Sequence, residues 1–291
     1  MDNQILQKRN FYNYKLFVTG SIALLVICIA ILANSYFTTG DFLKRGLELK
    51  GGTIIVLNLA DQAVDINGLQ ARLSSKFADV TVREARGITG YEVSIEAPAD
   101  AGTNSILKEL QDSGIPTERS SIRSVGAALG AAFFQQVQLG IIVSFILMAI
   151  VVFIMFRTYA PSLAVILAAV SDIIETMAIM NILGIKLTLP TFAALLMLIG
   201  YSVDTDMLLT SRVLKSRNEL PIPERIKGAF KTGMTMNFTT IAALSVLFIS
   251  NLSAVLSEIA SVLIIGIILD MVNTWIQNVA IIRRYAEKKG L

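Results

Sequence analysis

The chain has 291 residues, 54% of them hydrophobic and only 16% charged, where soluble domains carry about a quarter charged. An ordinary soluble domain is excluded, because the missing charge is concentrated in discrete apolar stretches, as membrane spans require. A single cysteine excludes an intrachain disulfide, the absence of histidine removes the usual proton shuttle and the commonest zinc ligand, and a net charge of only +3 gives no reason to expect a nucleic-acid partner.

Residues 1–39 hold an N-terminal tail with Lys8, Arg9 and Lys15, followed by a first apolar run over about 16–37. The run is longer than the apolar core of a signal peptide, and Asn34-Ser35-Tyr36 lacks the small-residue pattern of a cleavage site. It therefore reads as an uncleaved anchor. Cys28 sits inside it as a small packing residue.

Residues 40–134 form one polar block that reads as strands and helices in the order βαββαβ. Thr53–Leu59 is rich in β-branched residues. Asp65–Phe77 places Ile66, Leu69, Leu73 and Phe77 on one helical face. Asp79–Arg86 and Tyr91–Glu96 alternate as strands do, around Gly87 and Gly90. Thr103–Gln111 is a short helix stopped by Gly114 and Pro116, and Thr117–Val125 supplies a last strand. This order predicts a ferredoxin-like α+β domain. Gly51 and Gly52, just before the first strand, read either as a hinge between span and domain or as a tight turn.

Residues 135–291 contain five more apolar runs, about 136–156, 162–183, 189–211, 234–252 and 257–282, which brings the total to six transmembrane helices. Arg157 follows the second. Arg212, Lys215, Arg217, Arg225, Lys227 and Lys231 lie in a basic loop over 212–233, and Arg283, Arg284, Lys288 and Lys289 follow the sixth. The opposite short loops carry only Lys186. Basic residues stay on the cytoplasmic side, so both termini are expected there, with residues 40–134 outside the cell in a multi-pass protein of the cytoplasmic membrane. Within the loop, Glu224–Lys231 alternates apolar Ile226, Ala229 and Phe230 with Arg225, Lys227 and Lys231. It reads as a short interfacial helix or as a plain positive-inside loop.

Several polar residues lie inside these spans. Asp172 and Glu175 are three apart and share a face. Asp204 and Asp206 stand about 200° apart around a helix, so they cannot face one partner. Asp204 is the deeper, and Asp206 reaches toward the cytoplasmic edge. Asp270, Asn273 and Gln277 make a polar stripe on the sixth span, Asn237 sits low on the fifth, and Glu258 lies at the outer mouth as a solvated group. Charge inside a bilayer costs about 2.5–3.5 kcal/mol on insertion scales. Asp204, Asp172, Asp270, Glu175 and Asp206 are therefore the candidate proton-linked cluster, with Asp204 first. The competing reading makes them interhelical glue. Ala164, Ala168, Ala193, Ala194 and Gly200 are expected to let helices approach closely. An aspartyl protease would need YD and GxGD segments, and neither occurs.

Three segments carry a family resemblance. Gly46-Leu-Glu-Leu-Lys-Gly51-Gly52-Thr53, Val125-Gly126-Ala-Ala-Leu-Gly130, and Thr188-Leu-Pro190-Thr through Gly200-Tyr-Ser-Val-Asp204 appear in the order found in the SecD/SecF family of protein-export membrane proteins, within the resistance-nodulation-division superfamily. The chain resembles the smaller, SecF-type members over nearly its whole length, and the Gly-Leu-Glu-Leu-Lys and Val-Asp-Thr-Asp forms look archaeal. The resemblance implies a non-enzymatic accessory subunit of the Sec translocase with no cofactor and no metal. Its implied partners are SecD, the SecY-type channel, translocating polypeptide and membrane lipid, and the proton gradient drives the bacterial pair. It also implies signature roles for Gly51, Gly52 and Thr53. Asp204 matches the proton-linked position of SecD, whereas the SecF acid falls one residue later, where this chain has Thr205. Met236 stands where bacterial members have an arginine, which leaves Lys231 as the nearest basic residue able to reach toward Asp204 or Asp206. The other reading of such a chain is a homo-oligomeric exporter of small molecules or lipids from the same superfamily.

Overall fold

The computed structural model describes residues 2–59, 65–77, 80–87, 90–98, 101–117, 120–215, 220–250 and 252–290; Asp79, Glu118, Arg119 and Arg217 lie outside them. Among the described residues, six helices are long and apolar enough to cross a membrane. They are α1 (Asp2–Thr39, apolar from Val18), α5 (Ala127–Phe156), α6 (Tyr159–Leu183), α7 (Leu189–Lys215), α8 (Ile222–Ser250), and the run of α9 (Ala254–Val272), a π-helical turn (Asn273–Asn278) and α10 (Val279–Lys289). Proline marks three of the starts: Pro161 in the first turn of α6, Pro190 in that of α7, and Pro221 and Pro223 around that of α8. A missing N–H does no harm there, because first-turn N–H groups have no intrahelical acceptor.

Burial sorts the helices. In its most apolar window α6 is 61% buried and α7 50%, against 11% for α5 and α8. The bundle core is therefore α6, α7 and α9, with Val165, Ala169, Ile173, Leu195, Leu198 and Ile267 all nearly inaccessible. Helices α1, α5 and α8 flank this core and turn Ile142, Ile154, Phe238 and Val246 outward. In hydrocarbon such exposure carries no penalty, since lipid is as apolar as the side chains it meets.

Between α1 and α5 stands the small sheet. Its strands are β1 (Gly52–Leu59), β2 (Thr81–Gly87), β3 (Gly90–Pro98) and β4 (Ser120–Val125), with helices α3 (Ile66–Lys76) and α4 (Thr103–Asp112) as crossovers. The order across the sheet is β2-β3-β1-β4 and every pairing is antiparallel, with Ile55 opposite Ile95 and Ile122. This is the ferredoxin-like arrangement that the βαββαβ order predicts. One face buries Ile55, Leu57, Val93 and Ile95 against Leu69 and Leu73 of α3 and Ile106 and Leu110 of α4. The Asp65 side chain caps α3 by accepting from the Gly68 N–H at 3.1 Å.

Two joints tie this unit to the bundle. At the first, a single helical turn, α2 (Leu47–Lys50), ends in Gly51 at φ 90°, ψ 137°, with α5 passing directly beneath. A Cβ on Gly51 would lie 2.6 Å from the Ala127 Cα, and one on Gly130 would lie 2.6 Å from the Gly51 nitrogen. The glycine signature is thus a backbone-on-backbone junction with no room for a side chain. Thr53 completes it by sharing hydroxyl contacts with Thr103 and Ser124. The second joint is ionic. Glu258, at the start of α9, pairs with Arg83 of β2 and accepts from the Thr188 hydroxyl at 3.0 Å. Lys186 bonds Thr81 at 2.8 Å and pairs with Glu96 of β3 at 3.3 Å. Glu258 is therefore no solvated bystander, because the sheet lands on it. The α6–α7 loop also pairs its backbone with the linker, Gly46 N–H to Leu187 at 2.7 Å and Leu187 N–H to Lys44 at 2.8 Å.

The basic loop expected over 212–233 is much shorter. Helix α7 continues to Lys215 and α8 already begins at Ile222, so Glu224–Lys231 forms the first turns of the fifth span and not a separate interfacial helix. Ala229 and Gly233 bury one side of these turns against the bundle, which makes a continuous helix better packed than a detached one.

Replacing Gly51 by alanine imposes a backbone region that side chains avoid, at a cost of about 1–3 kcal/mol, and adds the clash with α5. The Gly51→Ala protein is expected to show a lower midpoint in thermal unfolding followed by size-exclusion chromatography in detergent, whereas Gly114→Ala, which meets nothing nearby but also has positive φ, should lose less.

Candidate functional site: a buried carboxylate network

The π-helical turn organises the polar centre of the bundle. Its widened turn, one residue longer than an α-helical one, lets Asn273, Thr274, Gln277 and Asn278 all point inward, each no more than 2% exposed. Four carboxylates from three helices meet them. The Asn273 amide donates to Asp172 at 2.8 Å and to Glu175 at 2.9 Å, both on α6. The Ser202 hydroxyl of α7 donates to the other oxygen of Asp172 at 2.5 Å. Asn278 donates to Asp206 of α7 at 2.6 Å. The Thr274 hydroxyl lies 2.8 Å from Asp206 and 3.1 Å from Asp270 of α9. From α1, the Ser21 hydroxyl reaches the carbonyl oxygens of Asn273 at 2.9 Å and Gln277 at 2.8 Å.

Proton counting exposes an imbalance. The Thr274 hydroxyl owns one proton and faces two carboxylates, so it satisfies one of them at a time. One oxygen of each of Glu175, Asp206 and Asp270, the Asn278 carbonyl oxygen and the Gln277 amide nitrogen are buried with no partner among the described residues. No lysine or arginine pairs with any of the four carboxylates among the described residues. Asp270 is within electrostatic range of both Asp172 and Asp206. Four buried carboxylates that no cation matches among the described residues are costly inside a bilayer. No group of residues with the geometry of a metal site occurs among the described residues.

The structure brings together Asp172, Glu175, Asp206 and Asp270, and it separates Asp204 from them. Asp204 is exposed on the opposite side of α7, in line with exposed Met197 and Gly200, while Asp206 is fully buried. Asp204, first among the candidates, thus lies apart from the other four, and Gly200 lines an open flank where close helix packing was expected. The physical reason is visible in α7 itself. Leu198, Ser202, Asp206 and Val213 recur on the buried side, and the helical period that includes Asp206 excludes Asp204. Ser202, four residues before Asp206, was the available signal. Thr274 and Asn278 were likewise legible as i+4 and i+8 from Asp270. Lys231 is exposed on α8 and pairs with neither aspartate among the described residues. The buried Asn237 side chain instead holds the Tyr201 hydroxyl at 3.1 Å.

A six-span bundle, a ferredoxin-like domain between its first two spans and an acidic centre on the third, fourth and sixth define a membrane-transport unit rather than a receptor or a soluble binding module. The sequence model of the family described as "Protein export membrane protein SecD/SecF, C-terminal" matches residues 105–288. The chain is 40% identical to the protein-export membrane protein SecF of Pyrococcus furiosus, over 90% of this chain and 88% of that one. It is 38% identical to the SecF of Methanolacinia petrolearia, over 97% of both chains. It superposes on the crystal structure of SecDF from Thermus thermophilus, a translocon-associated membrane protein, with a TM-score of 0.71 at 20% identity, covering 94% of this chain and 38% of that longer one. The chain belongs to the SecD/SecF family of protein-export membrane proteins.

Asn273 satisfies two carboxylates at once, so Asn273→Leu strands both and is expected to cost about 1–3 kcal/mol. Asp204→Asn, on an exposed flank, should leave stability unchanged. Thermal midpoints of the two purified proteins in the same detergent check the contrast.

Proposed function

We propose that this chain is a SecF-type accessory subunit of the Sec translocase. It pairs with a SecD-type six-span partner beside a SecY-type channel and promotes late steps of export across the cytoplasmic membrane, without enzymatic chemistry of its own. The proton gradient enters through the buried carboxylates, and Asp206 is the central residue. The observation that carries this reading is the single Thr274 hydroxyl between Asp206 and Asp270. Adding a proton to either carboxyl supplies the missing donor and changes which helices are held together.

The route outward is physical. Helices α7 and α9 meet at this network, and their outer ends carry Thr188 and Glu258, which hold Arg83 and the sheet. A shift of α7 against α9 is felt at the ionic joint, and the domain moves on it. Rocking of helical units around a buried site is a common transporter device. The domain lies outside the cell in this proposal, because Arg157, Arg212, Lys215, Lys227 and Lys231 cluster at the other end of the bundle.

The exposed flank of α7 supports the partner. Asp204 there would face hydrocarbon at about 2.5–3.5 kcal/mol if nothing covered it. Beside it on α8 the Thr240 hydroxyl contacts Tyr201. A second bundle docking on this flank supplies the polar groups that lipid lacks.

In cells lacking the native copy, Asp206→Asn is expected to reduce the rate of secretion of a pulse-labelled precursor to nearly that of cells with no copy at all. Asp204→Asn is expected to lower recovery of the SecD-type partner on co-purification. Full export with Asp206→Asn would sink the proton reading and leave the subunit reading standing. For orientation, Lys227→Cys should react with a membrane-impermeant maleimide only in inverted vesicles; the native thiol, Cys28, is buried and gives little background.

A further inference from the structure

An apolar groove of about 560 Å³ runs along the outside of the bundle between α8 and the α9–π-helical run, lined by Phe230, Met234, Phe238, Ile241, Ile268 and Trp275. Its size is that of a ligand site. On α8, Lys227, Lys231, Met234, Phe238 and Ile241 follow one another at intervals of four, three, four and three residues, so they form one stripe. Two lysines therefore stand at the end of the groove, on the line of its wall. Both are exposed, and neither forms an ion pair among the described residues. On the other wall Arg283 is already matched by Glu287 at 2.8 Å, so Lys227 and Lys231 are the cations on the line of the groove that have no ion pair among the described residues. They lie at the end of the bundle away from the sheet.

The groove is distinct from the flank assigned above to a protein partner. Phe238 is two residues from Thr240, about 200° around the helix, and Thr240 meets Tyr201 on the Asp204 side of α7, so that flank and the groove lie on different sides of α8. What remains beside the groove is the bilayer.

We propose that this groove binds one anionic phospholipid, with an acyl chain along Phe238, Ile241 and Ile268 and the phosphate on Lys227 and Lys231. A zwitterionic lipid fills the apolar part equally well but brings no net charge to the lysines. Basic clusters at the ends of apolar helical clefts select anionic headgroups for this reason. The site is independent of the translocase reading, because it uses none of the buried carboxylates.

The chain carries a built-in reporter. Trp275 is its only tryptophan, and it stands against Phe230 with ring centroids 5.0 Å apart in the groove wall. The full-length protein is reconstituted into vesicles of non-brominated phosphatidylcholine with increasing amounts of brominated phosphatidylglycerol or brominated phosphatidylcholine, and tryptophan quenching is followed. Brominated phosphatidylglycerol is expected to quench at a mole fraction about tenfold lower than brominated phosphatidylcholine. The preference should fall to about one in Lys227→Gln/Lys231→Gln, with circular dichroism and quenching by phosphatidylcholine unchanged, and in the unmodified protein at high salt. Equal quenching by both lipids, which means only annular lipid, overturns the proposal. So does a preference that survives both the double substitution and high salt, which places the headgroup elsewhere. Absence of quenching by either lipid means that protein covers the groove, and it overturns the proposal as well.

Discussion

A carboxyl group inside a bilayer has no water to fall back on, and this protein buries four of them against one widened turn of helix. That constraint organises the rest. Asp172 and Glu175 are held by one asparagine, and Asp206 and Asp270 share one threonine. Helices α6, α7 and α9 must converge to make these contacts, and they form the buried centre while α1, α5 and α8 stay at the lipid. The π turn over 273–278 carries all four of the inward polar side chains that meet these carboxylates.

The proposed proton reading requires that a change at this centre be transmitted. Helix α7 is well placed for this because it is anchored at both levels. Its middle carries Ser202 and Asp206, and the loop at its start carries Lys186 and Thr188, which engage the sheet through Glu96, Thr81 and Glu258. The Gly51 junction beneath the sheet is close-packed and does not read as a loose tether. The proposed coupling of helices to domain draws on this close packing, which leaves little slack to absorb a shift.

The outer surface of the bundle is not uniform. One flank presents Asp204 with Gly200 and a threonine of α8, and it is the flank proposed above for a protein neighbour. Another presents an apolar groove ending in two lysines, chemistry that suits lipid. Helix α8 separates the two.

By itself the sequence determined that this is a six-span membrane protein with one ferredoxin-like domain, because apolar length and strand alternation are local properties of the chain. It also determined the family and the residue types of the acidic centre. Only the tertiary structure decided which carboxylates meet. Asp204 and Asp206 are two residues apart and chemically identical, and their roles are set by the rotation of α7 against α6 and α9. No local pattern measures that rotation directly, although Ser202 and Thr274 hinted at it. The same holds for Glu258, whose partner Arg83 lies far away in sequence on a strand of the sheet. Depth in the membrane follows from counting residues, but facing follows from packing, and in a bundle whose polar groups must find one another facing decides the chemistry.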